Sequence, residues 1–184
     1  VYTFADALVV GTLLITLLRH SDRVRVACLA QLVNVIAPIM TAEDGGAWRQ
    51  TIFFPYRDVS VFAKDSTVLQ PIIRSPRYSC RYFQDVDSIE SVAVLSEEKD
   101  IVTVFAVNRD TARTMSTAID LRSFTDHAEV IYASTMAGFP LDAVNTEGHE
   151  AVRPCEMGIA EAEGGIVTAE LPSASWNVIR VRVR

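Results

Sequence analysis

The sequence predicts a mixed fold, with a helix–strand–helix α/β unit over residues 1–64 followed by an all-β sandwich over residues 65–184. Three observations predict it. Long apolar segments of helical period stop near Lys64, and short alternating runs with turn residues between them follow. The charge balance changes at the same place: residues 1–64 carry six basic and five acidic side chains, the rest eleven and eighteen. No spacer longer than a few residues separates the halves, and no internal repeat is visible.

Each element follows from its own pattern. Phe4–Arg19 places Leu8, Leu14, Ile15 and Leu18 near a 3.6-residue period, with further apolar residues around the axis, so the helix is expected to be covered on several sides. Ser21-Asp22-Arg23 breaks it. Val24–Val35 is a near-continuous aliphatic run with Val at 24, 26, 33 and 35, the pattern of a buried parallel strand. Pro38 and Thr41–Gly46 mark a loop. Ala47–Ala63 returns to helical spacing through Trp48, Ile52, Tyr56 and Val59, and Pro55 is expected to kink or interrupt it. Eight strand-like runs follow: 68–73, 78–83, 89–95, 101–108, 115–121, 128–132, 166–171 and 176–183. Ser96–Asp100 reads as a hairpin loop. In the last run Ile179, Val181 and Val183 alternate with Arg180, Arg182 and Arg184, giving one buried and one wet face.

Composition excludes several classes. The 184 residues are 49% hydrophobic and 22% charged, which a globular chain with a sizeable core requires. A net charge of −6 argues against nucleic acid or an anionic membrane as partner. Phe4–Leu18 is interrupted by Asp6, Gly11, Thr12 and Thr16, too polar and too short for a membrane span, and it lacks the features of a signal peptide. The opening on Val1 and a buried-type helix predict a piece of a larger protein. Cys28, Cys80 and Cys155 are far apart and odd in number, so three reduced thiols are expected, at least one buried, as suits a cytoplasmic location. His20, His127 and His149 share no metal-ligand spacing.

Several stretches resemble one family. Ala7–Gly11, Leu17–His20, Ala27–Ile39 (ACLAQLVNVIAPI) and Trp48–Pro55 resemble the α-L-arabinofuranosidases of glycoside hydrolase family 51. Phe105–Arg109 (FAVNR), Asn145-Thr146, Val152–Pro154 and Leu171–Arg180 (LPSASWNVIR) resemble that family's C-terminal sandwich, and Arg74–Asp87 does so more weakly. The resemblance implies the end of a catalytic (β/α)8 barrel in residues 1–64, with 24–35 as its eighth strand, joined to a jelly-roll-like sandwich in 65–184. It further implies a retaining enzyme that removes terminal non-reducing α-L-arabinofuranosyl groups. Such chemistry needs two carboxyl groups about 5–5.5 Å apart; in the family both lie on earlier strands, so no catalytic residue is expected in this chain.

One site residue is expected. Gln31 corresponds to the glutamine of the family's AQLVN motif, which contacts arabinose beside the scissile bond, and an amide offers both donors and an acceptor to a sugar hydroxyl. The alternative is a buried amide satisfying strand backbone. Asn34 is expected to support its loop. Glu43 and Asp44 are read as solvated, Gly45-Gly46 as a helix-entry turn, Trp176 as packing, and Trp48 as packing or a sugar platform. No cofactor or metal is implied. The expected partners are an arabinofuranosyl-containing oligo- or polysaccharide and, in the full-length enzyme, further copies of itself. The alternative from another class is a non-catalytic carbohydrate-binding or structural sandwich, for which Tyr78, Tyr82 and Phe83 are the nearest thing to an aromatic cluster.

Overall fold

A computed structural model describes residues 1–184. Helix α1 spans Phe4–Arg19, as its period predicts. Its start is fixed by a reciprocal cap: the Asp6 amide donates to Thr3 Oγ1 (3.2 Å) and the Thr3 amide to Asp6 Oδ2 (2.7 Å). Phe4, Ala7, Leu14 and Ile15 are buried on one side, whereas Val9 and Leu13 are 58% and 57% exposed on the other.

Residues 24–35 do not form the expected strand. The segment runs irregularly along the surface, with Val26, Leu32 and Val35 exposed. The physical reason is pairing: a parallel strand exists only where neighbours accept its backbone hydrogen bonds, and this chain supplies a single isolated bridge, Val33 to Ile39. A short hairpin follows, β1 (Ile39–Thr41) with β2 (Ala47–Arg49). Gly45-Gly46 therefore lies in a hairpin turn rather than at a helix entry. Helix α2 is Phe53–Phe62, shorter than the expected Ala47–Ala63. Pro55 falls in its first turn, where no intrahelical partner for an N–H is needed, so it neither kinks nor interrupts the helix.

The rest of the chain is β-structure. It comprises β3 (Ser66–Leu69), β4 (Arg77–Tyr78), β5 (Val86–Asp87), β6 (Ile89–Ser96), β7 (Ile101–Asn108) and β8 (Met115–Asp120). Next come β9 (Glu129–Met136), β10 (Cys155–Glu156), β11 (Ala160–Glu163), β12 (Ile166–Leu171) and β13 (Ser175–Arg182). An antiparallel six-stranded sheet has the order β10-β9-β13-β7-β6-β3, and β11-β12-β8 forms a second sheet facing it. The expected run 68–73 reduces to β3, because Pro71 removes a ladder donor from it, and 78–83 reduces to the two-residue β4. The β11–β12 turn uses Gly164 and Gly165 at φ +53° and +75°, the left-handed pair that a two-residue hairpin requires.

The six-stranded sheet is buried on both faces. Ile89, Ala93, Val102, Val104, Ile179 and Val181 point inward against Val167, Ala169 and Leu171 of the smaller sheet. On the other face Val92, Val94, Phe105, Val107, Trp176 and Val178 pack beneath Phe4, Ala7 and Ile15 of α1 and Phe54 of α2. The wet face expected for β13 is thus wet only near its end. Arg182 is exposed and paired with Glu129, while the Arg180 guanidinium lies 4.6 Å from the Phe62 ring of α2. Gly11 is required by this packing, since a Cβ there would sit 2.6 Å from Trp176 Cε3.

Candidate functional site

The expected sugar-binding segment is held at one end only. After Val24, whose amide closes the turn on His20 O (2.8 Å), its first anchor is Leu29 N–H on the Tyr56 hydroxyl (3.3 Å). Gln31 is exposed, with φ +60°, and Val35 has φ +57°, a strained conformation for a β-branched residue. From Asn34 onward the chain is fixed. The Asn34 amide nitrogen of the backbone donates to Ile39 O (2.8 Å), its side-chain Nδ2 donates to Thr41 Oγ1 (2.8 Å), and its Oδ1 accepts the Thr41 N–H (2.8 Å). Asn34 therefore supports its loop, as expected.

Gln50, 2% exposed, ties that loop to the helices. Its Oε1 accepts the Tyr2 N–H (2.9 Å), its Nε2 donates to Ala37 O (2.7 Å), and its backbone N–H donates to Pro38 O (2.8 Å). All its hydrogen-bonding groups point inward because the residue lies between the hairpin and α2, where an unpaired amide would cost about 1–3 kcal/mol.

The hairpin is in turn gripped from the sandwich. Glu150 Oε1 accepts the Arg49 backbone N–H (2.6 Å), and Oε2 accepts from its guanidinium (Nε, 3.0 Å). Buried Asn145 donates from Nδ2 to Arg49 O (3.1 Å) and to Val152 O (2.8 Å), and accepts the Val152 N–H at Oδ1 (2.9 Å). The hydrogen bond from Arg49 holds the Glu150 carboxyl below the usual glutamate range, and the same bond raises Arg49. Beside them a groove is lined by Arg49, Phe54, Arg57, Tyr132, Arg153 and Glu156.

Asp44, Asp58 and Glu90 each have a structural partner. Glu43 and Asp44 are exposed on the hairpin turn, where Asp44 Oδ1 accepts the Gly46 N–H (3.2 Å). Asp58 is fully buried; it accepts the Trp176 Nε1–H (3.0 Å) and pairs with Arg57. Burial pushes its carboxyl above the ordinary aspartate value, and the two hydrogen bonds oppose that. Glu90 bridges Arg19 of α1 and Arg109 of the sandwich. Trp176 is 1% exposed and stacked on Phe105, so its role is packing; Trp48 is half-buried on β2. His20 caps α1 through its backbone N–H and meets Arg23 through Nδ1 (2.9 Å). All three cysteines are exposed, against the expectation that one is buried, and no three His, Cys, Asp or Glu side chains gather where a metal ion could sit.

Sequence reading missed Gln50, Asn145, Glu150 and Asp58. Gln50 and Asn145 lie in stretches carrying the family resemblance, which is the one signal available for them; Glu150 and Asp58 answer to partners 101 and 118 residues away.

Two facing antiparallel sheets with a helical layer on the outer face define the class: a β-sandwich domain backed by helices. The family described as "Alpha-L-arabinofuranosidase C-terminal domain" matches residues 1–175, and the chain belongs to it. Over 181 residues it is 46% identical to the "Intracellular exo-alpha-(1->5)-L-arabinofuranosidase" of Halalkalibacterium halodurans, covering 98% of this chain and 36% of that protein. It is 42% identical over 186 residues to the "Exo-alpha-(1->6)-L-arabinofuranosidase" of Bifidobacterium longum, covering 99% and 35%. A solved family 51 α-L-arabinofuranosidase from Bifidobacterium longum superposes with a TM-score of 0.90 at 39% identity, over 98% of this chain and 35% of that one. The chain thus spans about a third of the length of the relatives it matches. No helix is long and apolar enough to cross a membrane.

Proposed function

We propose that this chain serves as the C-terminal part of a retaining, exo-acting α-L-arabinofuranosidase acting on terminal non-reducing α-L-arabinofuranosyl groups of oligo- or polysaccharides in the cytoplasm. Residues 1–64 close the catalytic (β/α)8 barrel, 65–184 form the jelly-roll-like sandwich, and the two carboxyl groups come from the rest of the barrel. The observation that carries this reading is the match of 98% of the chain to 36% of a relative whose name states that activity. The location rests on that relative's description as intracellular.

Within this reading Gln31 binds the arabinose next to the bond that breaks. The state of its segment supports the assignment. Val26, Leu32, Val35 and Ile36 are exposed on a stretch with one isolated bridge, Val33 to Ile39, and no ladder, and strain at Val35 would be relieved in an extended strand. Neighbouring barrel strands would supply both partners and cover. The exposed outer face of α1, with Val9 and Leu13, suits the same neighbours. Self-association of the full-length enzyme belongs to the proposal, favoured by the apolar side chains of Tyr82 and Phe83 on the β4–β5 hairpin.

The test is a chimera in which this chain replaces the matching third of the Halalkalibacterium halodurans enzyme. It should hydrolyse an aryl α-L-arabinofuranoside, while the 184-residue chain alone should not. Gln31→Ala in the chimera should lower kcat/KM by roughly ten- to a hundredfold, the effect of losing a polar contact to substrate. Turnover by the chain alone, or an unchanged rate in the variant, would overturn the respective part. A carbohydrate-binding module without catalytic partner is favoured only by Tyr82 and Phe83, 75% and 67% exposed. Retention of the chain by an arabinan affinity gel, lost in Tyr82→Ala, would support that reading instead.

A further inference from the structure

The connection between β9 and β10, residues 137–154, belongs to the sandwich in sequence but packs on residues 1–64. It forms a bridge between Val144 and Thr3, and Ala143 O and Leu141 O accept the free N–H groups of Phe4 and Ala5 at the start of α1 (2.7 and 2.9 Å). Farther along, Asn145 and Glu150 hold Arg49 by its carbonyl, its amide and its guanidinium. Arg49 is opposite Ile39 in the hairpin register, and Ile39 O accepts from Asn34, three residues from Gln31. As far as Asn34 every link in this path is a hydrogen bond or a register pair, and Gln31 follows three residues along the chain.

We infer that Asn145 and Glu150 are positioning residues for sugar binding, holding the β1–β2 hairpin, and through it the Gln31 segment, at a fixed place. The inference rests on the reading of Gln31 given above. Two observations separate the role from plain stabilisation. The Arg49 and Glu150 side chains are 42% and 23% exposed, so their ion pair is screened and contributes little to folding. Yet Glu150 also takes the Arg49 backbone amide, fixing main chain and side chain of one residue at once. The segment it steadies has few anchors of its own before Asn34. A substrate contact misplaced by about 1 Å can cost up to a hundredfold in rate, so a weak brace can matter greatly for the reaction.

The variant is Glu150→Gln, tested first in the 184-residue chain by hydrogen exchange. Amides of residues 29–41 should exchange about tenfold faster, with those of β7 and β13 unchanged. Equal exchange in wild type and variant would overturn the brace. In the active chimera the variant should raise KM and the inhibition constant of free arabinose together, about tenfold, while kcat holds, since a contact made in both ground and transition states is lost. Asp120→Asn, which removes an exposed ion pair with Arg122 on the opposite sheet, should change neither constant. Unchanged KM in Glu150→Gln, or a loss that vanishes once rates are normalised to the folded fraction, would overturn the inference even though the chimera hydrolyses. An inactive wild-type chimera would instead overturn the proposed function and this inference with it.

Discussion

Replacing Gly11 by alanine sets two effects of known size against each other. In the middle of α1 the change gains about 1 kcal/mol of helix propensity, because glycine has more backbone freedom to lose. The added methyl would lie 2.6 Å from Trp176 Cε3, 2.9 Å from Cζ3 and 3.4 Å from Val107 Cγ2. The indole cannot yield cheaply. It is 1% exposed, stacked on Phe105 at 5.9 Å, and held by its hydrogen bond to Asp58. Overpacking of this kind costs about 1–3 kcal/mol, so the variant should lose about 1 kcal/mol net. Urea unfolding followed by tryptophan fluorescence would read this as a lower midpoint at unchanged slope, and melting as a fall of about 2–4 °C for a chain of this size. If α1 did not pack on the sandwich, only the propensity gain would survive. A variant more stable than wild type would therefore refute the docking of α1 on Trp176.

Two pH dependences follow from the shifted carboxyls of Glu150 and Asp58. Glu150 has a folded pKa below its unfolded value, so its contribution is present above the ordinary glutamate pKa and lost as pH falls through the folded one. Glu150→Gln should be less stable than wild type by about 1 kcal/mol or less at pH 7, and the gap should close in acid; a gap that persists at pH 2 would contradict the assignment. Asp58 has the opposite sign. Its raised folded pKa means that holding the charge costs stability as pH rises from the unfolded to the folded value, so wild type should gain on Asp58→Asn as the solution is acidified through that window. Urea midpoints of the two proteins that move in parallel over that range would show that burial of Asp58 is not the dominant influence.

The stretches that carried the family resemblance turn out to be structural fastenings. Asn108 of FAVNR donates to three carbonyls, of Arg113, Leu171 and Pro172, and so joins the end of β7 to the turn before β13. Asn177 of SWNVIR donates to Ala106 O and accepts from Thr135, crossing three strands. Trp176 of the same stretch bonds Asp58, 118 residues away in sequence. Buried polar side chains of this kind are costly unless every partner is in place, which is why a short stretch of sequence can identify the fold.

By itself the sequence determined whatever depends on periods and local chemistry. Helix α1 is legible in Phe4–Arg19, and β7 and β12 fall on the residues their alternation predicts, because side-chain period is a property of neighbouring residues. Gln31 could be proposed from the AQLVN stretch. Only the tertiary structure decided what covers each face: both sides of the six-stranded sheet are dry because two helices from the first 64 residues lie across it. It likewise decided that 24–35 is no strand here, since a strand's ladder is completed by neighbours and not by its own residues. The grip of Asn145 and Glu150 on Arg49 joins positions about a hundred residues apart, and no local pattern can encode a contact of that separation.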